Sequence, residues 1–314
     1  MNKPTLYIMC GLSGSGKSTI ATQIANENPN TIIVSSDAIR EELTGNYENQ
    51  EHNEEVFKIF HDRIRKNLEN KKNVIADATN LTMKSRRAII MKVNGLNVRK
   101  VCVIIPKPFE QCKEDNLHRE HPVPDFVLDK QIRKFQIPFY EEGFNEINIL
   151  SCDEWNKFKL SNLEFLTATY GFDQKNPHHI MTLDKHSVNT YKLFCNKKQS
   201  KSLFPLEYRD GYAMGAKLHD IGKLSTQSFD EEGIAHYFNH AEVGSYIILS
   251  QMKIPALYPL MWNDKTLLDC CFLINYHMMP FNWNTDKAKQ RWKERFGEYK
   301  YKMLLDFNEC DRAR

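Results

Sequence analysis

The sequence predicts an α/β domain with a parallel sheet flanked by helices, followed by an all-α domain. Three observations carry this. Up to about residue 150, continuous apolar runs alternate with amphipathic helical stretches, the pattern of a parallel sheet covered on both faces. From about residue 155 strand-like runs become scarce and amphipathic helical runs take over. A Gly/Ser-rich turn, CGLSGSGKSTI (10–20), joins the first apolar run to the first helical one. The division falls near 150–160 and is taken as 1–152 and 153–314.

The expected strands of the first half are 5–10, 31–36, 73–79, 98–106 and 147–150. Helices are expected from Lys17, over AIREEL, and over 53–70, where Val56, Ile59, Phe60, Ile64 and Leu68 recur at helical spacing. In the second half the helical runs are EWNKFKLSNLEFLTATY, LDKHSVNTYKLFC, GYAMGAKLHD, HAEVGSYIILSQM and TLLDCCFLINYHM. No internal repeat or low-complexity linker separates the halves.

Among 314 residues, 41% hydrophobic and 26% charged is an ordinary globular composition, and a net charge of +3 argues neither for nor against nucleic acid. Basic clusters at 84–87, 196–201 and 287–295 read as solvated helix faces or loops before binding patches. Eight cysteines without a C-x-x-C pair fit free, buried thiols in a reducing compartment. With no signal-peptide pattern and no apolar run of membrane-spanning length, a cytoplasmic protein without membrane association is expected.

Gly11, Gly16, Lys17 and Ser18 satisfy G-x-x-x-x-G-K-[ST] between a strand and a helix. Such a turn points backbone N–H groups at phosphate oxygens, and the following helix adds the positive end of its dipole. Lys17 is expected to reach the β- and γ-phosphates and Ser18 to hold Mg²⁺, so ATP and Mg²⁺ are the expected cofactors. The nucleotide cradle comprises Gly11, Ser13, Gly14, Ser15, Gly16, Lys17, Ser18 and Thr19.

The next strand runs into SSDAIREEL, which puts Asp37 and Arg40 at the carboxyl edge of the sheet, where open α/β sheets bind ligands. Asp37 can accept a proton from an acceptor hydroxyl, and Arg40, three residues on, suits an acceptor carrying its own phosphate. A helix cap at Ser36–Asp37 is the competing explanation. The third strand ends in IADATNLTMKSRR, bringing Asp77, Asn80 and Thr82 to the same edge, as site residues or as turn chemistry.

Seven of the eleven histidines follow residue 170. His219–Asp220 is an adjacent imidazole–carboxylate pair; His186 precedes it on a separate helix, His240 and His277 follow on two more, and Asp311 lies near the end of the chain. Such residues converging from several helices make a bundle-core metal site, and His/Asp sets accept Mn, Fe, Ni, Co or Zn. His178, His179 and His236 read as surface or core residues first.

GLSGSGKST, then SDAIR, then DATNLT resembles the polynucleotide 5′-kinase group of P-loop phosphotransferases over residues 4–150. The resemblance implies Asp37 as the general base for a 5′-hydroxyl and Arg40 on the acceptor's phosphate. Asp77 lies where the acidic residue that organises Mg²⁺ water commonly occurs, and Asp77 and Asn80 are expected on the substrate side. The resemblance also implies an arginine-bearing lid over 116–138, with Arg119 first and Arg133 second. LDKHSVNTY, LHDIGK, NHAEVGS and INYHMMP resemble the HD phosphohydrolase superfamily over 160–314. That implies His186, His219, Asp220 and Asp311 on one metal, with Asp306 a substitute for Asp311. His240 and His277 would hold a second metal or the scissile phosphate, and Lys223 would contact phosphate.

The whole chain resembles bifunctional RNA end-healing enzymes. The expected activity is ATP-dependent phosphorylation of 5′-OH ends and metal-dependent removal of a 2′,3′-cyclic, 2′- or 3′-phosphate. Expected partners are RNA, or DNA, ends and a separate RNA ligase. The alternative is a nucleoside or sugar kinase fused to a nucleotidase.

Overall fold

The computed structural model describes residues 3–47, 49, 51–151, 167–177, 180–199, 209–252 and 263–313. The chain divides into two units. One comprises Met1–Leu128 and Pro138–Ser151; the other comprises Asp129–Ile137 and Cys152–Arg314.

In the first unit β1 (Thr5–Cys10), β2 (Thr31–Ser35), β3 (Asn73–Asp77), β4 (Arg99–Ile104) and β5 (Glu146–Ile149) form one sheet in the order β2-β3-β1-β4-β5. All four pairings are parallel. Helices α1 (Lys17–Glu27), α2 (Ser36–Thr44), α3 (Asn53–Glu69), α4 (Met83–Lys92) and α5 (Phe109–Leu117) fall between the strands, and α6 (Asp125–Ile132), which from Asp129 groups with the second unit, precedes the last strand in the chain. The central strands are buried on both faces, with Leu6, Ile8, Val74, Ile75 and Cys102 inaccessible to solvent, as their unbroken apolar runs require. In α3, Val56, Phe60, Ile64 and Leu68 form the buried stripe, and Ile59 is half-buried at its margin. β1 matches its apolar run, β2, β3 and β4 are one to three residues shorter than theirs, and β5 is shifted by one residue. Ser36 belongs to α2 and not to β2, because Ser35, the last residue of the strand, caps the helix, its Oγ accepting from Ala38 N.

Beneath the sheet edge Arg86 and Glu142 form an ion pair from which solvent is fully excluded. Arg86 also donates to the Asn80 carbonyl, tying the end of β3 to the 3₁₀ turn at Tyr140–Glu142.

The second unit contains α7 (Leu183–Gln199), α8 (Arg209–Leu218), the single turn α9 (Lys223–Thr226), α10 (His240–Met252), α11 (Asp264–Tyr276) and α12 (Asp286–Arg312), the last broken at Gly297. Helix α11 is buried from Leu267 through Tyr276 and packs against α8 and α10. An apolar surface all round is what such a central helix needs.

Two features correct the all-α expectation. A short antiparallel hairpin, β6 (Ser228–Phe229) with β7 (Ala235–His236), interrupts the helices. Residues 129–137 also group with this unit: Asn275 donates to Phe135 O and accepts from Ile137 N, and Tyr276 Oη donates to Ile137 O. The expected helix over 154–170 lies outside the described residues up to 166, as do His178 and His179. The described cysteines are all free, and burial pushes the Cys10 thiol up to about 11. Among the described residues no helix is long and apolar enough to cross a membrane.

Candidate active sites

In the first unit the turn after β1 lies where the strand order reverses, with β3 on one side and β4 on the other. Gly14 has φ 76°, and a Cβ there would stand 2.2 Å from the Cys112 carbonyl oxygen, so only glycine fits. Gly16, at φ 90°, precedes α1, whose first turn carries no acidic residue. The positive end of that helix is therefore left for an external anion. Ser15 Oγ is buried with no hydrogen-bond partner. A phosphate oxygen would satisfy it, and the cradle fits the group the motif implies.

Lys17 Nζ donates to Leu12 O at 2.8 Å, and Ser18 Oγ donates to Asp77 Oδ2 at 2.9 Å. Desolvation lowers the Lys17 ammonium, and Asp77 partly offsets this. Burial raises the Asp77 carboxyl despite Lys17 and the Ser18 hydrogen bond. A hydroxyl and a carboxylate held together beside the cradle form a donor set suited to Mg²⁺. Asp37 and Arg119 both lie within electrostatic reach of Lys17 and Asp77, so these four residues converge on one edge of the sheet. Arg119, just past the end of α5, is exposed.

Asp37 is 64% exposed, while the Arg40 side chain is only 7% exposed. Arg40 Nη1 donates to Asp37 Oδ1 at 2.9 Å and Nη2 to Asn53 Oδ1 at 3.1 Å. The guanidinium faces Asp37 and Asn53 and not an open surface, so it orients the carboxylate. Asn80 departs further from its expected substrate contact. It is 3% exposed at φ 45°, and its amide donates to the carbonyls of Met9, Ala76 and Ala78, pinning β1 to β3. Thr82 caps α4, its hydroxyl accepting from Ser85 N.

One cation escaped the sequence reading. Lys107 Nζ donates to Gly14 O and pairs with Asp115. It stands three residues beyond β4, and only the adjacency of β4 to β1 brings it to the phosphate turn.

In the second unit His186, His219, Asp220, His240, His277 and Asp311 come together. All but Asp311 are under 9% exposed, and the Asp311 side chain is 12% exposed. Two groupings have ligand atoms close enough to share an ion: His186, His219 and Asp220, and Asp220, His240 and His277. Asp311 Oδ1 lies 3.0 Å from His186 Nε2 and 3.2 Å from His219 Nε2. Asp220 Oδ1 lies 3.2 Å from His240 Nε2 and 3.7 Å from His277 Nε2. Gly222 permits the assembly, since a Cβ there would stand 2.0 Å from His240 O.

The tautomers are set by the backbone. Nδ1 of His219, His240 and His277 faces the carbonyl three residues back, at Ala216, Tyr237 and Ile274, at 2.8–2.9 Å. A carbonyl only accepts, so each Nδ1 carries a hydrogen, and in the neutral ring Nε2 presents the lone pair. The Nε2 atoms meet one another, at 3.2 Å for both His186–His219 and His240–His277, and they meet carboxylates. Neutral rings in such an array repel until a proton or a metal ion joins it. Burial would lower the His219 imidazole, but Asp220 and Asp311 prevail and push it up to about 10. The donor set, with ring nitrogens oriented by backbone carbonyls, fits a divalent metal.

Lys223, expected on phosphate, is buried, with its Nζ 2.7 Å from Asp220 Oδ2 and donating to Gln174 Oε1 at 2.8 Å. It balances the carboxylate from behind. Gln174 is a further participant that its sequence neighbours do not reveal. Asp306 pairs with Lys197, and His236 pairs with Asp230, so the structure brings neither to the cluster.

Residues 6–138 match the family model described as an AAA domain. The L-seryl-tRNA(Sec) kinase of Methanococcus maripaludis is 29% identical over 137 residues, 42% of this chain and 53% of that protein. The chain thus spans about half the length of this curated relative. A chain of the Pnkp1/Rnl/Hen1 RNA repair complex superposes with TM-score 0.39 and 24% identity, over 43% of this chain and 44% of that one. A gluconokinase from Sinorhizobium meliloti 1021 gives 0.34 and 19%, over 48% and 83%. A fungal RNA kinase gives 0.34 and 12%, over 48% and 76%. With its parallel sheet flanked by helices and its phosphate turn, the first unit is an α/β domain consistent with a P-loop kinase.

Proposed function

We propose that the chain heals RNA ends, with its first unit phosphorylating a 5′-hydroxyl from ATP and its second removing a phosphate from the 2′,3′ end. The observation that carries the reading is the presence in one chain of two sites of opposite character. One is a backbone cradle whose helix terminus and buried Ser15 Oγ suit an anion, and the other is a cluster of imidazoles and carboxylates that suits a cation.

In the kinase reading the 11–18 turn and Lys17 hold the phosphates, and Ser18 with Asp77 holds Mg²⁺, which neutralises charge as the phosphoryl group moves. Asp37 accepts the proton of the attacking hydroxyl, and Arg40 fixes the carboxylate in place. Arg119 reaches the phosphates from the exposed end of α5. In the second unit His186, His219, Asp220 and Asp311 would hold one metal, and Asp220 with His240 and His277 would hold another. Such a metal would supply an activated water and withdraw charge from the phosphoryl group. Lys223 keeps Asp220 ionised, and the three backbone-bound imidazoles keep their Nε2 atoms turned inward. The RNA ligase expected as a partner belongs to this reading too, since both products are ligatable ends.

One observation favours a second reading for the first unit. With Arg40 buried, the edge offers less to a phosphate on the acceptor, which suits a smaller alcohol. Incubation with a 5′-OH RNA, a nucleoside and a sugar in parallel separates the two. The proposal requires ATP-dependent phosphate gain on the RNA, and gain on the nucleoside or sugar alone defeats it.

A further inference from the structure

Helix α12 opens with a charge pattern that the metal centre does not use. Residues 286–296 hold five cations, Lys287, Lys289, Arg291, Lys293 and Arg295, against Asp286 and Glu294. That surplus equals the net +3 of the whole chain. Lys289 lies 3.6 Å from Asp286 and Lys293 lies 2.7 Å from Glu298, which mutes both. Lys287, Arg291 and Arg295 recur at four-residue spacing and so share one line along the helix. Among the described residues no carboxylate forms an ion pair with Lys287 or Arg291, and both are exposed.

Beside that line stands Trp292. The Arg291 and Arg295 guanidiniums lie 5.5 and 4.9 Å from its ring, and the indole is itself stacked on buried Phe296 at 5.2 Å. A guanidinium against an aromatic face keeps its in-plane N–H donors turned outward, at reduced entropic cost. Lysines alone would make a solvated face. Arginines held by an anchored indole make a set of oriented phosphate donors.

We infer that the Lys287–Arg291–Arg295 ridge binds the phosphodiester backbone of a single-stranded polynucleotide whose 3′ end lies at the metal centre. This rests on the phosphohydrolase reading and deepens it by naming the surface that holds the strand behind its 3′ end. The same helix carries Asp311, sixteen residues beyond Arg295. At 1.5 Å per residue that is at most about 24 Å, or about seven nucleotides at the 3.4 Å rise of a stacked strand. The ridge therefore acts on chains longer than this and ignores a single nucleotide.

The test uses the full chain with Mn²⁺, a 2′,3′-cyclic mononucleotide and an RNA of about 12 nucleotides with the same terminus. Wild type should show a lower KM for the RNA than for the mononucleotide. In Lys287→Gln/Arg291→Gln/Arg295→Gln that KM ratio should fall toward one, and the salt slope of RNA binding should flatten by about 2, near 0.7 per lost contact. Circular dichroism establishes that the variant is folded. Equal KM values in wild type, or an unchanged ratio in the variant, overturn the ridge and leave the phosphohydrolase standing. Turnover of neither substrate, with RNA binding still dependent on the ridge, overturns the phosphohydrolase and leaves the ridge. Ridge-dependent binding to phosphatidylserine vesicles without binding to RNA overturns the polynucleotide assignment.

Discussion

The Nε2 atoms of His240 and His277 face each other at 3.2 Å, and each ring donates its Nδ1–H to the carbonyl three residues behind it. Neither ring can turn away without leaving a buried backbone acceptor unpaired, so this repulsion is built into the fold and is relieved by bound positive charge.

Metal should therefore stabilise the protein. At about 100 times its dissociation constant, Mn²⁺ is expected to add about 2.7 kcal/mol, read as a rise of several degrees in Tm over chelated protein. Asp220→Ala, which removes the carboxylate common to both groupings, should abolish the rise.

Binding should also release a proton. Without metal the neighbouring carboxylates hold the His219 imidazole up to about 10, so it is charged at neutral pH and its proton must leave as the ion arrives. Metal affinity then increases with pH, and the calorimetric enthalpy depends on the ionisation heat of the buffer. An enthalpy independent of buffer would count against the assigned ligands.

Asp37→Ala should lower phosphorylation about 10²–10⁴-fold, the usual contribution of a positioned proton acceptor. Tm should fall as well, since Asp37, though exposed, is the carboxylate that pairs with the buried Arg40 guanidinium. Arg40→Ala should lower both kcat and Tm, because the guanidinium is buried against Asp37 and Asn53. Arg40→Lys offers a single ammonium in place of the fork and should recover little.

Burial raises the folded-state pKa of Asp77, so the ionised carboxylate costs stability in the ligand-free protein. The cost is absent below the ordinary carboxylate range and complete above the raised folded value. Asp77→Asn should accordingly raise the ligand-free Tm at neutral pH, with the difference vanishing in acid, while phosphorylation is lost. A lower Tm at neutral pH would contradict this.

Arg86→Ala should cost about 3–5 kcal/mol by stranding Glu142. Adding Glu142→Leu should recover part of that, with midpoints of denaturant unfolding as the readout.

The sequence disclosed the sites better than it disclosed their supports. Short spacings were enough to place Lys17 and Ser18 in the phosphate turn and His219 beside Asp220. Asn80 and Arg40 could not be placed from sequence, because the same residue types serve as ligands and as staples, and only burial distinguishes the two. Lys107 and Gln174 come from other strands and loops, so no local pattern marks them. The apolar run in α11 showed a buried helix but gave no sign that Asn275 and Tyr276 would hold residues 129–137.

The most direct measurement follows the intact mass of one short RNA bearing a 5′-hydroxyl and a 2′,3′-cyclic phosphate, with Mg²⁺ and Mn²⁺ and with or without ATP. The account predicts a 5′-phosphate gained only with ATP and a terminal phosphate lost in either case. Asp37→Ala should abolish only the first change and Asp220→Ala only the second. An RNA unchanged at both ends, while ATP is consumed with a nucleoside or sugar, would contradict it.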